Sequence, residues 1–417
     1  MKKKLIDREI LPQIEKKLKL REYLAVVGPR QSGKTTLLEI IKAKHSEAVY
    51  LTFEDKKVLR LFEEDIDRFI KFYCQDKKLL LLDEFQYASE GGKNLKFIFD
   101  TQPALKIILT GSSSSDIRAK VGKYMVGRIL FLNLWPLSWL EFLMARDKKL
   151  AKAYLQEKFN FHRRPKVKKT PQRDSLVDYF LALLEEYLLF GGYPRVVKAA
   201  TDEEKKTVLN GIFSTYLLRD VVGFAKIEKE TAYQKLVTGL GLQIGNLYQY
   251  RELGNLTRLS YAEVVSYLEV LKQTFIIRGI LPFYTNPRTE LVKTAKVYFY
   301  DLGLRNSLLE NFLPLEQRQD AGALAENFAV NQLAGQFSKI NFWRTKSKAE
   351  VDFVIRHQGE TIPLEVKFQS GEVAVSKSFY SFIQKYQPPF GIILTREAKA
   401  VRKVNSTPVY FYPLYLL

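Results

Sequence analysis

Residues 28–36, with the sequence GPRQSGKTT, constrain this chain more than any other segment. They fit the pattern G-x-x-x-x-G-K-[ST], follow the apolar run YLAVV and precede the helical pattern TTLLEIIKAKH. Gly28 and Gly33 permit a tight loop whose backbone N–H groups surround a phosphate at the amino end of a helix. The sequence therefore predicts a strand–loop–helix unit that binds a nucleoside triphosphate.

The residues of this loop have separate expected roles. Lys34 would contact the β- and γ-phosphates of ATP and act in catalysis, while the hydroxyl of Thr35 would bind Mg²⁺. The other loop residues would surround the nucleotide: Gly28, Pro29, Arg30, Gln31, Ser32, Gly33 and Thr36.

An acidic pair after an apolar strand supports this interpretation. Residues 79–82 are all leucine and are followed by Asp83 and Glu84. We expect Asp83 to hold the Mg²⁺ of the nucleotide and Glu84 to activate the attacking water. The alternative is a solvated acidic turn after a core strand, which the phosphate-loop pattern upstream disfavours.

Two further residues have open interpretations. Thr110 ends the apolar run IILT, where its hydroxyl would sense the γ-phosphate, although the serines after it equally suit a helix cap. Arg128, in MVGRILFL, is our candidate for an arginine that stabilises the transition state. It is equally well interpreted as a structural arginine before a strand.

The composition favours a polyanionic partner. The chain has 66 Lys and Arg against 46 Asp and Glu, a formal net charge of +20. Such an excess favours nucleic acid or an anionic membrane surface, and the alternative is a lysine-rich solvated surface.

The single cysteine, Cys74, excludes an internal disulfide, and no apolar run reaches the ~18 residues of a membrane span. We expect a cytoplasmic protein that is not inserted in a membrane, has DNA as its partner, and forms a homo-oligomer.

The order of patterns predicts four parts: an α/β P-loop core at 1–150, a connector at 151–175, a helical and winged-helix domain at 176–310 and an α/β domain at 311–417. Apolar runs alternating with helical patterns up to about residue 143 are typical of a parallel sheet covered on both faces. The basic segment FHRRPKVKKTPQRD follows as a connector or exposed arm that is suited to phosphate contact.

Two helical patterns separated by ELGNLTRLS, with two β runs around TNPR after them, have the order of a winged helix-turn-helix. Residues 261–272 would then lie in the DNA major groove, with Arg288, Lys293 and Lys296 on phosphates. Winged helices also pack domains together, and the apolar sequence LEVLKQTFII suits that alternative.

The segment EVDFVIRHQGETIPLEVK predicts a second charged site. Side chains alternate along a strand, so Glu365 and Lys367 would share one face, and Asp352 on the neighbouring strand would meet them. Asp352 and Glu365 would hold a second Mg²⁺, with Glu326 on the preceding helix and Lys367 nearby. The alternative is a pair of strands joined by ion pairs.

Several segments together resemble the prokaryotic AAA-type ATPases fused to a C-terminal domain of unknown function. They are GPRQSGKTT, LLLLDEFQYA, LTGSSSS, VGRILFLNLWPLSWLEF, LFGGYPRVV, KVYFYDLGLRN, GALAENFAVNQL and FWRTKSKAEVDFVI with IPLEVK. The resemblance implies a RecA-like core, a winged-helix segment and a C-terminal fold similar to restriction endonucleases. Asp352, Glu365, Lys367 and Glu326 are similar to the PD-(D/E)XK nuclease constellation.

The expected function is Mg²⁺-dependent ATP hydrolysis coupled to DNA binding or remodelling, including branched DNA, with a metal-dependent nuclease site in the tail. The rival function is a nucleotide-switched signalling or scaffolding ATPase whose nuclease-like tail is inactive.

Overall fold

A computed structural model describes residues 5–89, 91–112, 114–163, 175–220, 222, 227–285, 290, 293–369, 371 and 374–417. The described residues divide into two compact units. The first comprises the chain up to Leu137 with Tyr193–Arg195 and Glu269–Ile276. The second comprises Ser138–Gly192, Val196–Leu268 and Ile277–Leu417.

The first unit contains a parallel sheet. Its strands are β1 (Tyr23–Val27), β2 (Val49–Thr52), β3 (Leu79–Asp83), β4 (Lys106–Gly111) and β5 (Ile129–Asn133). They lie in the order β2-β3-β4-β1-β5, and every neighbouring pair is parallel. This confirms the predicted parallel core. The segments that follow β1, β3 and β4 therefore meet at the same edge of the sheet.

Helices pack on both faces of this sheet. They are α1 (Leu11–Lys17), α2 (Lys34–Lys44), α3 (Lys56–Glu64), α4 (Ile66–Tyr73), α5 (Gly91–Thr101) and α6 (Ser114–Gly122). On one face Leu37 and Ile41 of α2 join Val26 of β1 in a buried cluster. On the other face the ring of Tyr23 lies 5.1 Å from that of Phe99 in α5. This double cover explains why β1 and β3 are buried at every position.

The rest of the chain begins with helices. They are α7 (Trp139–Arg146), α8 (Lys148–Glu157), α9 (Ser175–Phe190), α10 (Pro194–Val197) and α11 (Asp202–Ile212), then α12 (Glu230–Leu242), α13 (Tyr250–Thr257) and α14 (Tyr261–Gln273), and later α15 (Leu302–Leu308), α16 (Ala321–Gln336) and α17 (Lys377–Tyr386). A π-helical turn at Phe213–Asp220 continues α11. Among the described residues, no helix combines the length and apolarity needed to cross a membrane.

The segment ELGNLTRLS contains a helix that the sequence pattern did not predict. Leu253 and Thr257 are buried one helical turn apart in α13, so tertiary packing stabilises this helix despite its Gly254. Arg258 follows in the left-handed conformation, with φ of 59°, and ends the helix. The hydroxyl of Ser260 accepts the backbone N–H of Glu263 at 3.3 Å and so caps the amino end of α14.

The second unit contains a mixed sheet. Its strands are β6 (Ile277–Pro282), β7 (Lys296–Phe299), β8 (Ile340–Arg344), β9 (Glu350–His357), β10 (Glu360–Lys367), β11 (Gly391–Thr395), β12 (Ala400–Val404) and β13 (Thr407–Pro413). The order is β12-β13-β11-β10-β9-β8-β6-β7. The two strands predicted within EVDFVIRHQGETIPLEVK are confirmed as β9 and β10.

The two β runs predicted around TNPR, which would form the wing of a winged helix, are part of this sheet. Strands β6 and β7 pair antiparallel, as two β runs around a turn would. However, β6 also pairs parallel with β8 through Leu281↔Asn341 and Pro282↔Phe342. The sheet therefore contains strands from both sides of residue 310, and the β6–β7 pair lies at its edge.

Candidate active site

The loop between β1 and α2 depends on two glycines for different reasons. A Cβ atom at Gly28 would lie only 2.0 Å from the carbonyl oxygen of Leu134, so any side chain there would collide with backbone. Gly33 has φ of +97°, a conformation that side-chain-bearing residues rarely adopt. Together they direct the loop into the first turn of α2, whose leading N–H groups have no acceptor within the helix.

Lys34 is buried beneath this loop, with 5% of its surface exposed. Its Nζ donates to the carbonyl oxygens of Gly28 at 3.0 Å and Pro29 at 2.9 Å. Burial lowers the pKa of Lys34 to about 8, although the carboxylates of Glu84 and Asp83 oppose this shift. The side chain is therefore held inside the loop beside the two acidic residues.

Asp83, at the end of β3, connects three strands to the loop. Its Oδ2 accepts hydrogen bonds from the hydroxyl of Thr35 at 2.7 Å and from that of Tyr50 at 2.9 Å. Its Oδ1 accepts the hydroxyl of Thr110, which is fully buried at the end of β4. Burial, reinforced by the charge of Asp83, raises the pKa of Tyr50, so the phenol stays protonated as a donor.

Glu84 is placed next to this network by its backbone. It has φ of 54°, and its N–H donates to the hydroxyl oxygen of Thr110 at 3.2 Å. The side-chain amide of Gln86 donates to the Glu84 carboxylate, and Lys120 donates to the carbonyl of Gln86. Thr110 therefore connects both acidic residues, which agrees with its interpretation as a site residue.

Sequence reasoning missed two residues here. Tyr50 lies on β2, and only the strand order brings its hydroxyl to Asp83. Arg8 is buried and donates to the carbonyl oxygens of Ser32 and Trp135, each at 2.7 Å. Arg8 thus connects the phosphate loop to the segment after β5, but in the sequence it is one basic residue among many.

Arg128 does not reach the site of its own chain. It precedes β5, and its carbonyl accepts the N–H of Tyr23, the first residue of β1, at 2.8 Å. It therefore lies at the amino edge of the sheet, about 15 Å of strand away from the loop. Its guanidinium faces Asp100 at 3.8 Å and the ring of Phe99. Within one chain, this geometry corrects our assignment of Arg128 as the transition-state arginine and agrees with a structural role.

The loop between β1 and α2, together with Asp83 and Glu84, fits a nucleotide with Mg²⁺. The hydroxyl of Ser32 is buried and has no hydrogen-bond partner among the described residues, so it is available to a phosphate oxygen. Thr35 and Asp83 present the oxygen ligands that Mg²⁺ prefers. Of the other loop residues, Pro29 is buried, Arg30 and Thr36 are partly buried, and Gln31 is exposed.

The predicted tail site is a cluster of ion pairs. Lys367 and Glu365 share one face of β10, as predicted, and their Nζ and Oε1 atoms lie 2.8 Å apart. The other Glu365 oxygen accepts the hydroxyl of Ser376 at 2.8 Å. Asp352 accepts the backbone N–H of Val366 at 2.8 Å. Lys367 is thus paired with Glu365, not with Asp352.

A buried lysine that we had placed on the DNA surface completes this cluster. Lys296 is 2% exposed, and its Nζ lies 3.1 Å from Glu326 and 2.6 Å from Glu350. Burial alone would lower the pKa of Lys296, but the carboxylates of Glu326, Asp352 and Glu350 raise it above its usual value. Burial, together with the charge of Glu326, raises the pKa of Asp352.

These contacts correct two expectations. Lys296 is enclosed by carboxylates and cannot contact DNA phosphates, whereas Lys293 is exposed. Arg288 and residues 164–174 lie outside the described residues. Among the residues that are described, no group of three acidic, histidine or cysteine side chains is arranged to hold a metal. Glu326 and Glu365 are paired with Lys296 and Lys367, and Asp352 accepts a backbone N–H. With these partners in place, the three carboxylates do not fit the divalent metal that the nuclease-like resemblance implies.

Comparison with known families divides the chain into three regions. Residues 20–143 match the family described as AAA domain. The N-terminal part of the chain is therefore similar to AAA domains. Residues 181–315 and 321–416 match two families that are each described as a domain of unknown function (DUF8612 and DUF4143).

Relatives that align with most of this chain are described as uncharacterized proteins. A protein of Methanocaldococcus jannaschii is 26% identical over 366 residues, covering 85% of this chain and 76% of that protein. A protein of Haemophilus influenzae is 25% identical over 390 residues, covering 89% of each chain. Among solved structures, the Walker-type ATPase of Pyrococcus abyssi is 17% identical with a TM-score of 0.44, covering 73% of this chain and 96% of that one.

Proposed function

We propose that the chain hydrolyses ATP in an Mg²⁺-dependent reaction at the carboxyl edge of the parallel sheet. The observation that carries this proposal is the convergence on Asp83 of hydroxyl groups from α2 and β4. Thr35 and Thr110 both donate to its carboxylate, and Lys34 lies buried beside it. A solvated acidic turn would not be enclosed in this way.

Each residue has a distinct part in this reaction. Lys34 would exchange its hydrogen bonds with the carbonyls of Gly28 and Pro29 for bonds to the β- and γ-phosphates. The leading N–H groups of α2 would bind the phosphates as well. Thr35 and Asp83 would hold Mg²⁺, which neutralises the charge that develops on the transferred phosphoryl group.

Glu84 would orient and deprotonate the attacking water. Its backbone N–H donates a hydrogen bond to the hydroxyl of Thr110, and this hydroxyl donates to Asp83. Glu84, the base, is therefore fixed relative to Asp83, which would hold Mg²⁺. Gln86 bonds one oxygen of Glu84 and leaves the other able to accept a proton from water.

We also propose that hydrolysis is coupled to DNA. The support is the net charge of +20, which favours a polyphosphate partner. ATP turnover should then rise in the presence of duplex, single-stranded or branched DNA. Turnover that none of these DNA forms changes would favour a nucleotide-switched signalling ATPase.

The ATPase proposal is tested by replacing the buried lysine. Lys34→Ala should abolish ATP binding, measured by calorimetry, and with it hydrolysis, because the phosphates lose their one buried ammonium partner in this loop. Lys44→Ala is the matched control, since Lys44 is an exposed lysine at the end of the same helix. Parent-level ATP affinity in Lys34→Ala would exclude this loop as the nucleotide site.

A further inference from the structure

The tail cluster contains a buried cation beside carboxylates to which the nuclease-like resemblance assigns a metal. The Nζ of Lys296 makes ion pairs with Glu326 and Glu350, and it interacts electrostatically with Asp352. This Nζ also lies 5.6 Å from the centre of the Phe342 ring. The lysine comes from β7, at the edge of the sheet, so the sequence around Asp352 and Glu365 gives no indication of it.

The carboxylates of the cluster have fixed partners. Glu326 accepts a hydrogen bond from the hydroxyl of Tyr298 in addition to its ion pair with Lys296. Glu365 is bonded to Lys367 and Ser376. A divalent cation needs several oxygen ligands that converge on one point. In this cluster the carboxylates are directed at the ammonium groups of Lys296 and Lys367. These ammonium groups would repel a metal ion, and the repulsion is strong because the site is poorly solvated.

A charge count leads to the same conclusion. The cluster consists of Glu326, Glu350, Asp352, Glu365, Lys296, Arg344 and Lys367. Its formal charge is −1, and a bound divalent cation would reverse this to +1. Without Lys296 the formal charge would be −2, which one divalent cation would neutralise.

We propose that Lys296 is a built-in replacement for a divalent metal, so that the C-terminal site is a preassembled ion-pair cluster and not a metal centre. The lysine holds Glu326 of α16, Glu350 of β9 and its own strand β7 together. It thereby stabilises the packing that a metal would otherwise stabilise. The tail then has no metal with which to activate water for phosphodiester cleavage, and this inference does not depend on the ATPase proposal.

The test is Mn²⁺ binding by the nucleotide-free full chain, followed by electron paramagnetic resonance and by thermal melting. The parent and Asp352→Asn should bind Mn²⁺ identically, because Asp352 holds no metal. Lys296→Met should melt several degrees lower than the parent, because buried carboxylates lose their cation. It should also bind about one more Mn²⁺ per chain than the parent, and Mn²⁺ should restore much of its melting temperature.

Two controls make the result specific. Lys339→Met removes the lysine partner of another buried carboxylate, Glu290, and should gain no Mn²⁺ binding because that carboxylate stands apart from the cluster. Lys296→Met combined with Glu326→Gln should lose the gained Mn²⁺, since the formal charge returns to −1 and a ligand is removed.

Two results would overturn the proposal. One is Mn²⁺ binding by the parent that Asp352→Asn abolishes, which would make the cluster a true metal site. The other is a folded Lys296→Met that gains no Mn²⁺. If Lys296→Met does not fold, the comparison of the parent with Asp352→Asn decides the question by itself.

Discussion

Lys34 is the residue on which the phosphate site depends, and burial places its pKa close to physiological pH. The site lowers the pKa of Lys34 to about 8 from 10.5. Only the charged ammonium form stabilises the phosphates, so the proton on Lys34 is a requirement for binding ATP. The carboxylates of Asp83 and Glu84 help to keep that proton in place.

We expect ATP affinity to decrease as pH rises through about 8, because Lys34 loses its proton there. The dissociation constant, measured by calorimetry from pH 7 to pH 9.5, should increase by up to about tenfold per pH unit above the pKa. Lys34→Arg provides the control, since a guanidinium stays charged over this range. An ATP affinity of the parent that does not change with pH would show that Lys34 is not the titrating contact.

The sequence predicted some of these residues and missed others for a physical reason. Lys34, Thr35 and Asp83 follow from local patterns. The first two belong to a glycine-rich loop after an apolar strand, and the third is an acidic residue at the end of a leucine strand. Tyr50 reaches the site only through the order of strands. Lys296 was assigned to DNA because a lysine at the start of a strand does not reveal which carboxylates surround it. Long-range packing, which the sequence does not display, decided both cases.

At the scale of elements, the loop between β1 and α2 is held in place by contacts at both of its ends, and it leads into the first turn of α2, whose N–H groups have no acceptor within the helix. The close approach of Gly28 to Leu134 joins the start of the loop to the segment after β5. Arg8 joins the end of the loop to the same segment through Ser32 and Trp135. The loop is thus held at both ends, which favours a preorganised phosphate site.

We expect Gly28→Ala to weaken ATP binding at least about tenfold and to lower the melting temperature, because the added methyl group must displace the backbone at Leu134. Gly122→Ala is the matched control, since a Cβ atom there meets nothing within 4 Å. The control should keep the parent affinity. Equal ATP affinities for the two variants in calorimetry would show that the close contact does not shape the site.

At the scale of the whole molecule, the net charge of +20 is the property that the ATPase site does not explain. If this charge serves DNA binding, the affinity for DNA should decrease steeply as the salt concentration rises, because binding neutralises phosphates and releases their counterions. Replacing four basic residues of the connector should then reduce the slope of log K against log salt. They are Arg163, Arg164, Lys168 and Lys169, changed to Gln.

The expected change in slope is up to about 3.6, since each of the four lost phosphate contacts contributes about 0.9. A control with the same change in net charge replaces Lys56, Lys57, Lys77 and Lys78, which are exposed in the first unit. Fluorescence anisotropy with duplex DNA measures both slopes. The same slope for the parent and the connector variant would assign the connector a role other than contact with DNA.

The central claim is that the full chain hydrolyses ATP with Glu84 as the base, and the most direct measurement is single-turnover hydrolysis by Glu84→Gln. The amide keeps the size of the side chain but cannot take a proton from water. We expect ATP affinity close to that of the parent and hydrolysis at least about 100-fold slower. Glu47→Gln, at an exposed position in the same unit, should keep the parent rate. Hydrolysis by Glu84→Gln at the parent rate would contradict the account.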